Sequence, residues 1–466
     1  MTVVILLADG ARPDTLCAAI KSGRLPALAR LKAEGALHRV TSCFPSVTGP
    51  AYTPFLMGRF PGPIGLPGLR WYDRERTTCS FPDYTRSYVG PQVNYVDRDL
   101  DPNAPTIFEI CDTSMASLTP VGRGLRNRNR IGRLSPRTAF RAAKTHFSGD
   151  VAAWLDVDRD VADMVVKHIR RERPEFTFAA MVGVDKTSHS VGQPSELTNE
   201  ALRIVDETAA RIRADAEADG RWDDMHLWVT SDHGHSPVTE HEDLAGIVAD
   251  WGYRTVAHPW IYKIRPEVAV MVSGNAMAQI YVDLSARERA YWPNISSRYH
   301  QLVELLLERE SVDLMLLPMP NGATVRSARG DAEVTLHDGR MSYLRTSGDP
   351  LGIGQDIRAT CPDAAYDLTM TTDYPDSLSQ IATIATAARS GEIILSAKRG
   401  WDYRAKYEPI PHVSSHGALH AEHMLVPLLT SRRYSGTPRR TTDVMPSALE
   451  ALGRAIPAGL DGVSFI

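Results

Sequence analysis

The chain has 466 residues, of which 43% are hydrophobic, 23% charged and 7% aromatic, the make-up of an ordinary globular protein rather than a disordered, collagenous or coiled-coil one. Its 52 Lys and Arg against 56 Asp and Glu give a formal net charge of −4, so no general excess of positive charge exists to hold a polyanion, and no nucleic acid polymer is expected as a partner. The cysteines Cys17, Cys43, Cys79, Cys111 and Cys361 are widely spaced with no C-x-x-C pair, which argues against a disulfide framework or a cysteine zinc site.

The chain opens on the apolar run Thr2–Ala8, which ends at Asp9-Gly10 and has no basic segment before it or small-residue cleavage site after it. It reads as a buried strand rather than a signal peptide. Arg24–Glu34 has helical apolar spacing and stops at Gly35, giving the strand, helix, strand opening of a parallel sheet. Residues 58–68 are crowded with Gly and Pro and read as loop. A second α/β stretch holds helix Arg159–Arg173, strand Phe176–Val182, helix Leu197–Ala218 and strand Met225–Thr230. From about residue 240 the pattern changes. Val268–Leu284 and Ala323–Leu344 alternate apolar and polar residues around Gly and Asn-Gly breaks, as antiparallel strands do. Signals of the first kind return at Asp376–Ala388, Glu392–Leu395 and Met424–Leu429. The expected organisation is a catalytic domain of 1–239 and 376–466 with an α+β cap inserted at 240–375. No apolar stretch approaches the roughly 20 residues that span a bilayer, so a cytoplasmic, membrane-free protein is expected; oligomeric state is not encoded legibly.

Between Asp112 and Asp150 no acidic residue occurs, but Arg123, Arg126, Arg128, Arg130, Arg133, Arg137, Arg141 and Lys144 do. This segment reads either as a solvated basic loop or as a rim that recruits an anionic substrate.

Acidic and histidine residues gather after the apolar runs, where open parallel sheets place their ligand sites. Asp9 follows the first strand, Asp185 and His189 lie in Val184–Ser190, Asp232 and His233 in Thr230–His235, and His416 in Ser414–Gly417. Three carboxylates and three imidazoles are enough for two metal ions of the kind that accept mixed oxygen and nitrogen donors, zinc above all. Singly, each residue also reads as a turn, a cap or a core histidine; their conjunction is the signal. A nucleophile is offered by Thr48, just before Gly49-Pro50, where a helix start would set its hydroxyl against free N–H groups. The same position suits a helix cap equally well.

These segments resemble the alkaline phosphatase superfamily, within it the type I phosphodiesterase/nucleotide pyrophosphatase branch that includes phosphonoacetate hydrolase. The matching stretches are Leu7–Gly10, Pro45–Pro50 with Met57–Pro61, Asp185-x-x-x-His189, Ser231–Gly234, His416-Gly417, and the C-terminal Asp443–Gly453 with Asp461-Gly462. The resemblance implies a three-layer α/β sandwich with a largely parallel central sheet and two divalent metal ions, zinc first and manganese or iron as substitutes. It places Asp9, Thr48, Asp232 and His233 around one ion and Asp185, His189 and His416 around the other. It further implies attack by Thr48 on phosphorus, a phospho-threonine intermediate and net retention. His235 and His420 match no ligand position.

Two departures bear on the chemistry. Leu69 falls where many diesterase members carry an Asn that holds a phosphoryl oxygen, which leaves Arg70 or the backbone N–H after Thr48 as the replacement donor. Cys43-Phe-Pro-Ser-Val47 approaches the sulfatase motif C-x-P-S-R, but Val47 replaces the Arg, so a formylglycine sulfatase is disfavoured. The expected function is hydrolysis of a phosphodiester, pyrophosphate or phosphonate bond in a small phosphorylated substrate. The alternatives are a phosphomonoesterase or phosphomutase on the same site, and a non-catalytic relative that binds phosphorylated ligands.

Overall fold

The first apolar run forms strand Thr2–Ala8 at the middle of a seven-stranded sheet. The computed structural model describes residues 1–77, 84–132, 144–145, 150–259, 263, 265–404 and 412–466. The sheet runs Ala36–Thr41, Leu425–Thr430, Met225–Thr230, Thr2–Ala8, Phe176–Met181, Ser114–Ser117, Arg130–Ile131. The last five strands are mutually parallel, and Leu425–Thr430 is antiparallel to both of its neighbours. The central strands are buried on both faces, which is why they read as unbroken apolar runs.

Alternation assigns the two faces. Val4 and Leu6 pack under helices Pro13–Lys21, Pro26–Glu34, Ala153–Glu172 and Glu196–Ala218, while Val3, Ile5 and Leu7 pack against Thr53–Met57 and Val444–Ala451. The result is a three-layer α/β fold with a large, mostly parallel central sheet. Ala8 is level with Met181, and Leu7 with Thr230, so the chain leaves three adjacent strands at one edge.

A second sheet of nine strands runs from Thr255–Val256 to Ile357–Thr360 and is antiparallel apart from its first pair. The expected alternating segments form it, with the hairpin Val268–Ser273/Met277–Val282 turning through Gly274 and Asn275, both at positive φ. The strand expected at Glu392–Leu395 forms as Ile393–Ala397, but it lies inside this second sheet, between Met277–Val282 and Val312–Met319. Helix Ser377–Thr386 packs there too, through Leu378, Ile381 and Ala385. The boundary expected at 375 therefore does not separate the two sheets. Among the described residues no helix is long and apolar enough to cross a membrane.

Candidate active site

Because the central strands end level, the residues just beyond them meet. Asp9 follows Thr2–Ala8, Asp232 lies two residues past Met225–Thr230, and Asp185 sits in the first turn of helix Gly183–Val191, directly after Phe176–Met181. All three are buried. His189 is one helical turn beyond Asp185, and His416 comes from the chain after the short strand Ser414–Ser415.

The nucleophile loop is fixed by bonds on both sides. Ser42 N–H donates to Met424 O at 2.7 Å, Phe44 N–H to Gln380 Oε1 at 2.8 Å, and Ser46 Oγ to Ala418 O at 3.1 Å. The helix begun at Pro50 is a single 3-10 turn running into Thr53–Met57, and no side chain caps it. Thr48 instead directs Oγ1 to Asp9, 3.2 Å from Oδ1 and 3.3 Å from Oδ2, and to His233 Nε2 at 3.2 Å. The capping role is thus not the one its hydroxyl plays.

Tautomers follow from the partners. The Nδ1 atoms of His233, His189 and His416 lie 3.1, 2.9 and 3.0 Å from the carbonyls of Gly234, Ser414 and Ser46. A carbonyl only accepts, so each Nδ1 carries the proton and each Nε2 presents a lone pair. Those lone pairs face carboxylate oxygens: His233 Nε2 is 3.4 Å from Asp9 Oδ1 and 3.5 Å from Asp232 Oδ2, while His189 and His416 approach Asp185 Oδ1 at 3.2 and 3.5 Å. Lone pair against lone pair is repulsive until a cation sits between them. Asp232 Oδ2 is moreover buried without a hydrogen-bond donor, a costly state that a metal relieves.

The electrostatics agree. Burial, then the charges of Asp232 and Asp185, raise the Asp9 pKa well above the carboxylate range, and burial raises that of Asp232. For Asp185 burial acts in the same upward direction, but the Lys186 charge leads the effects that outweigh it and hold the carboxyl well below its usual range. Lys186 Nζ lies 2.8 Å from Asp185 Oδ2. One lysine does not balance three buried carboxylates, whereas divalent cations would.

Two groups offer donor atoms within 4.8 Å of one another: Asp9, Asp232 and His233, and Asp185, His233, His235 and His416. These buried clusters can hold metal. The second contains His235, which matches no ligand position of the family, and lacks His189. A signal was available, since His233 and His235 are two apart where the chain turns extended into Ser236–His241, and alternate residues of extended backbone share a side. Tyr52, whose hydroxyl donates to Asp9 Oδ2 at 3.1 Å, lies in an apolar helix and carried no such signal.

Arg70, the side-chain donor expected near Thr48, opens the short strand Arg70–Tyr72. Leu69 packs on the hydrophobic core, and its N–H donates to Ser273 Oγ at 3.0 Å. Ser273 precedes Gly274, which lies against Val47 and His416, so this strand is tied to the rim of the site. Arg70 borders a small cavity with Asp243, His258 and Tyr403 beside the second sheet. Cys43 is buried with Ala51 and Phe60. His420 pairs with Glu422 at 3.0 Å. In the basic segment, Arg123 pairs with Glu109 at 3.0 Å and Arg130 with Asp97 at 2.9 Å, while Arg126 and Arg128 are exposed. Arg133, Arg137 and Arg141 lie outside the described residues.

No curated protein matches the chain by sequence. Solved structures share its fold. Phosphonoacetate hydrolase from Sinorhizobium meliloti 1021, in complex with phosphonoformate, is 17% identical with a TM-score of 0.58, over 97% of this chain and 95% of that one. Murine ectonucleotide pyrophosphatase/phosphodiesterase 5, in an inactive threonine-to-alanine form in complex with AMP, is 15% identical with a TM-score of 0.53, over 98% and 96%. Alkaline phosphatase PafA is 13% identical with a TM-score of 0.60, over 99% and 98%. All three are alkaline phosphatase superfamily proteins. The sequence model of type I phosphodiesterases/nucleotide pyrophosphatases matches residues 3–419, and the chain belongs to that family of hydrolytic enzymes.

Proposed function

We propose that the protein is a dinuclear-metal hydrolase that cleaves a phosphodiester, pyrophosphate or phosphonate bond in a small phosphorylated molecule, with Thr48 as covalent nucleophile. The observation that carries this reading is Thr48 Oγ1, within 3.3 Å of both Asp9 oxygens and of His233 Nε2. Asp9, Thr48, Asp232 and His233 would hold one ion and Asp185, His189 and His416 the other. The imidazole and carboxylate donors favour zinc, with manganese or iron as substitutes. When bound, such ions supply Lewis-acid charge that lowers the pKa of a hydroxyl and stabilises a leaving oxygen.

The chain's own groups position the reaction. Thr48 Oγ1 bonds to phosphorus as its proton passes to solvent, and the bond from phosphorus to the leaving group breaks with its electron pair on the leaving atom, which takes up a proton from solvent. Water then attacks the phospho-threonine: its oxygen joins phosphorus, the bond from phosphorus to Oγ1 breaks, and Oγ1 regains a proton. Two in-line displacements give net retention. Gly49 N–H, which donates to no group among the described residues, is the donor proposed for a non-bridging oxygen, with Arg70 as the side-chain alternative. The inactive threonine-to-alanine form of the murine relative supports an essential threonine, and the phosphonoformate complex supports the phosphonate arm. Likeness to an alkaline phosphatase favours phosphomonoester hydrolysis as the second reading.

The test uses zinc-loaded protein with bis-p-nitrophenyl phosphate and p-nitrophenyl phosphate in parallel, beside Thr48→Ala. Faster turnover of the diester, lost in Thr48→Ala with metal content unchanged, is the expected result. Near-normal turnover by that variant would rule out the covalent route.

A further inference from the structure

We propose that His235 is a protein ligand of the metal held at Asp185, one donor more than the family resemblance assigns; this rests on the dinuclear reading above. His235 is fully buried, and its Nε2 lies 2.9 Å from Asp185 Oδ1, nearer than His189 at 3.2 Å or His416 at 3.5 Å. Three imidazole Nε2 atoms thus converge on one carboxylate oxygen. Two donors bound to one zinc at about 2.0–2.2 Å are separated by at most about 4.4 Å, and by about 3.4 Å at a tetrahedral angle. All three separations fit that geometry.

A carboxylate oxygen surrounded in this way has few alternatives. His189 and His416 have committed Nδ1–H to backbone carbonyls, so neither can donate to Asp185. His235 differs in its outer partner, Ser414 Oγ at 3.1 Å, which accepts as readily as it donates. With Ser414 Oγ accepting from Nδ1–H, His235 also turns a lone pair inward, and Ser414 serves two ligands at once, His189 through its carbonyl and His235 through its hydroxyl. The backbone makes room for this ring. A Cβ on Gly10, which has φ +78°, would come within 2.8 Å of His235 Nε2, so the residue after Asp9 must lack a side chain for the imidazole to reach the cluster. His235 ligand atoms also lie within 4.8 Å of those of His416 and His233. The donors proposed for that ion thus include Asp185, His235 and His416, whose ligand atoms lie within 4.8 Å of one another, with His189 Nε2 3.2 Å from the shared Asp185 Oδ1.

The competing role for His235 is an Nε2–H donor to Asp185, and His235→Gln separates the two, because an amide still donates a hydrogen bond but is a poor zinc ligand. Zinc retention against a competing chelator is measured by elemental analysis for wild type and His235→Gln, together with the absorption spectrum of the cobalt-substituted proteins. The expected result is two ions in wild type, and in the variant one ion bound more than about 100-fold more weakly, beyond the 10–100-fold that loss of an outer hydrogen-bond partner costs, with an altered cobalt spectrum. Both ions held at wild-type affinity with an unchanged spectrum would overturn the proposal. Should the variant fail to fold, a crystal structure of the zinc-loaded wild type decides, since Nε2 within about 2.2 Å of the ion supports ligation and a non-bonded separation refutes it. Wild type binding less than one ion per chain would instead overturn the dinuclear reading itself.

Discussion

Replacing Asp158 by alanine tests how the metal-ligand helix is held. Asp158 is fully buried on helix Ala153–Glu172, and its oxygens accept from Val182 N–H at 2.9 Å and Gly183 N–H at 2.7 Å. These N–H groups open helix Gly183–Val191, which carries Asp185 and His189. Alanine leaves two buried donors unsatisfied at about 1–3 kcal/mol each, a loss of about 2–6 kcal/mol. The loss depends on pH. Burial, only partly offset by the two N–H groups, pushes the Asp158 pKa from 3.8 to about 7. A raised folded-state pKa means that this group favours the folded protein most below about pH 4, and that its contribution falls as pH rises through 7, by about 4 kcal/mol at roughly 1.4 kcal/mol per unit. The deficit of Asp158→Ala is therefore largest near pH 5 and smaller at pH 8. With an unfolding entropy of about 1 kcal/mol/K for a chain this long, the metal-free variant should melt about 2–6 °C below wild type at pH 5 and closer to it at pH 8, and should bind zinc more weakly at both. Equal melting at pH 5, or a gap that widens toward pH 8, would refute the anchoring argument.

Two further predictions probe the rim. Gly274 has φ +62°, and a Cβ there would come within 2.3 Å of Val47, 2.8 Å of His416 O and 3.0 Å of His416 Nδ1. Gly274→Ala is expected to displace His416, costing about 1–3 kcal/mol and weakening zinc binding; unchanged metal affinity would show that the hairpin adjusts without moving the histidine. Glu422 pairs with His420 at 3.0 Å and Arg399 at 2.8 Å. Burial works against its charge, but His420 and then Arg399 outweigh it and lower the pKa from 4.5 to about 2. A depressed pKa contributes stability above about pH 4.5 that is lost as pH falls toward 2. For a carboxylate 31% exposed, Glu422→Gln should cost roughly 1–2 kcal/mol at pH 7 after screening by solvent. Urea titrations should show that gap closing as pH falls from 5 to 3, and a gap that persists would assign the loss to packing.

The strand-end carboxylates, the nucleophile loop and the order of the motifs were legible in the chain because each is local. A strand buried on both faces must read as an apolar run, and the polar residue that ends it marks where the sheet stops. Asp9 and Asp232 declare themselves in this way, and Asp185 and His189 share one helical turn. The level ends of the three strands then follow from parallel pairing.

Local sequence carries no address for long-range pairing. Ile393–Ala397 was recognisable as a strand, but the hydrogen-bonding edge of an apolar strand is the same whichever neighbour it meets, so only the tertiary structure set it in the second sheet. Asp158 falls one residue before the expected helix Arg159–Arg173, and only packing sets it against the N–H groups of Val182 and Gly183. His235 read as a neighbour of His233, and Arg70 as a candidate donor near Thr48. The contact of one with Asp185 and the place of the other at a small cavity beside the second sheet depend on chain segments up to 333 residues apart, Arg70 and Tyr403. The sequence alone determined which groups could do the chemistry, because side-chain type and local backbone are written residue by residue; the convergence of those groups was decided by sheet order and packing, which depend on the whole chain at once.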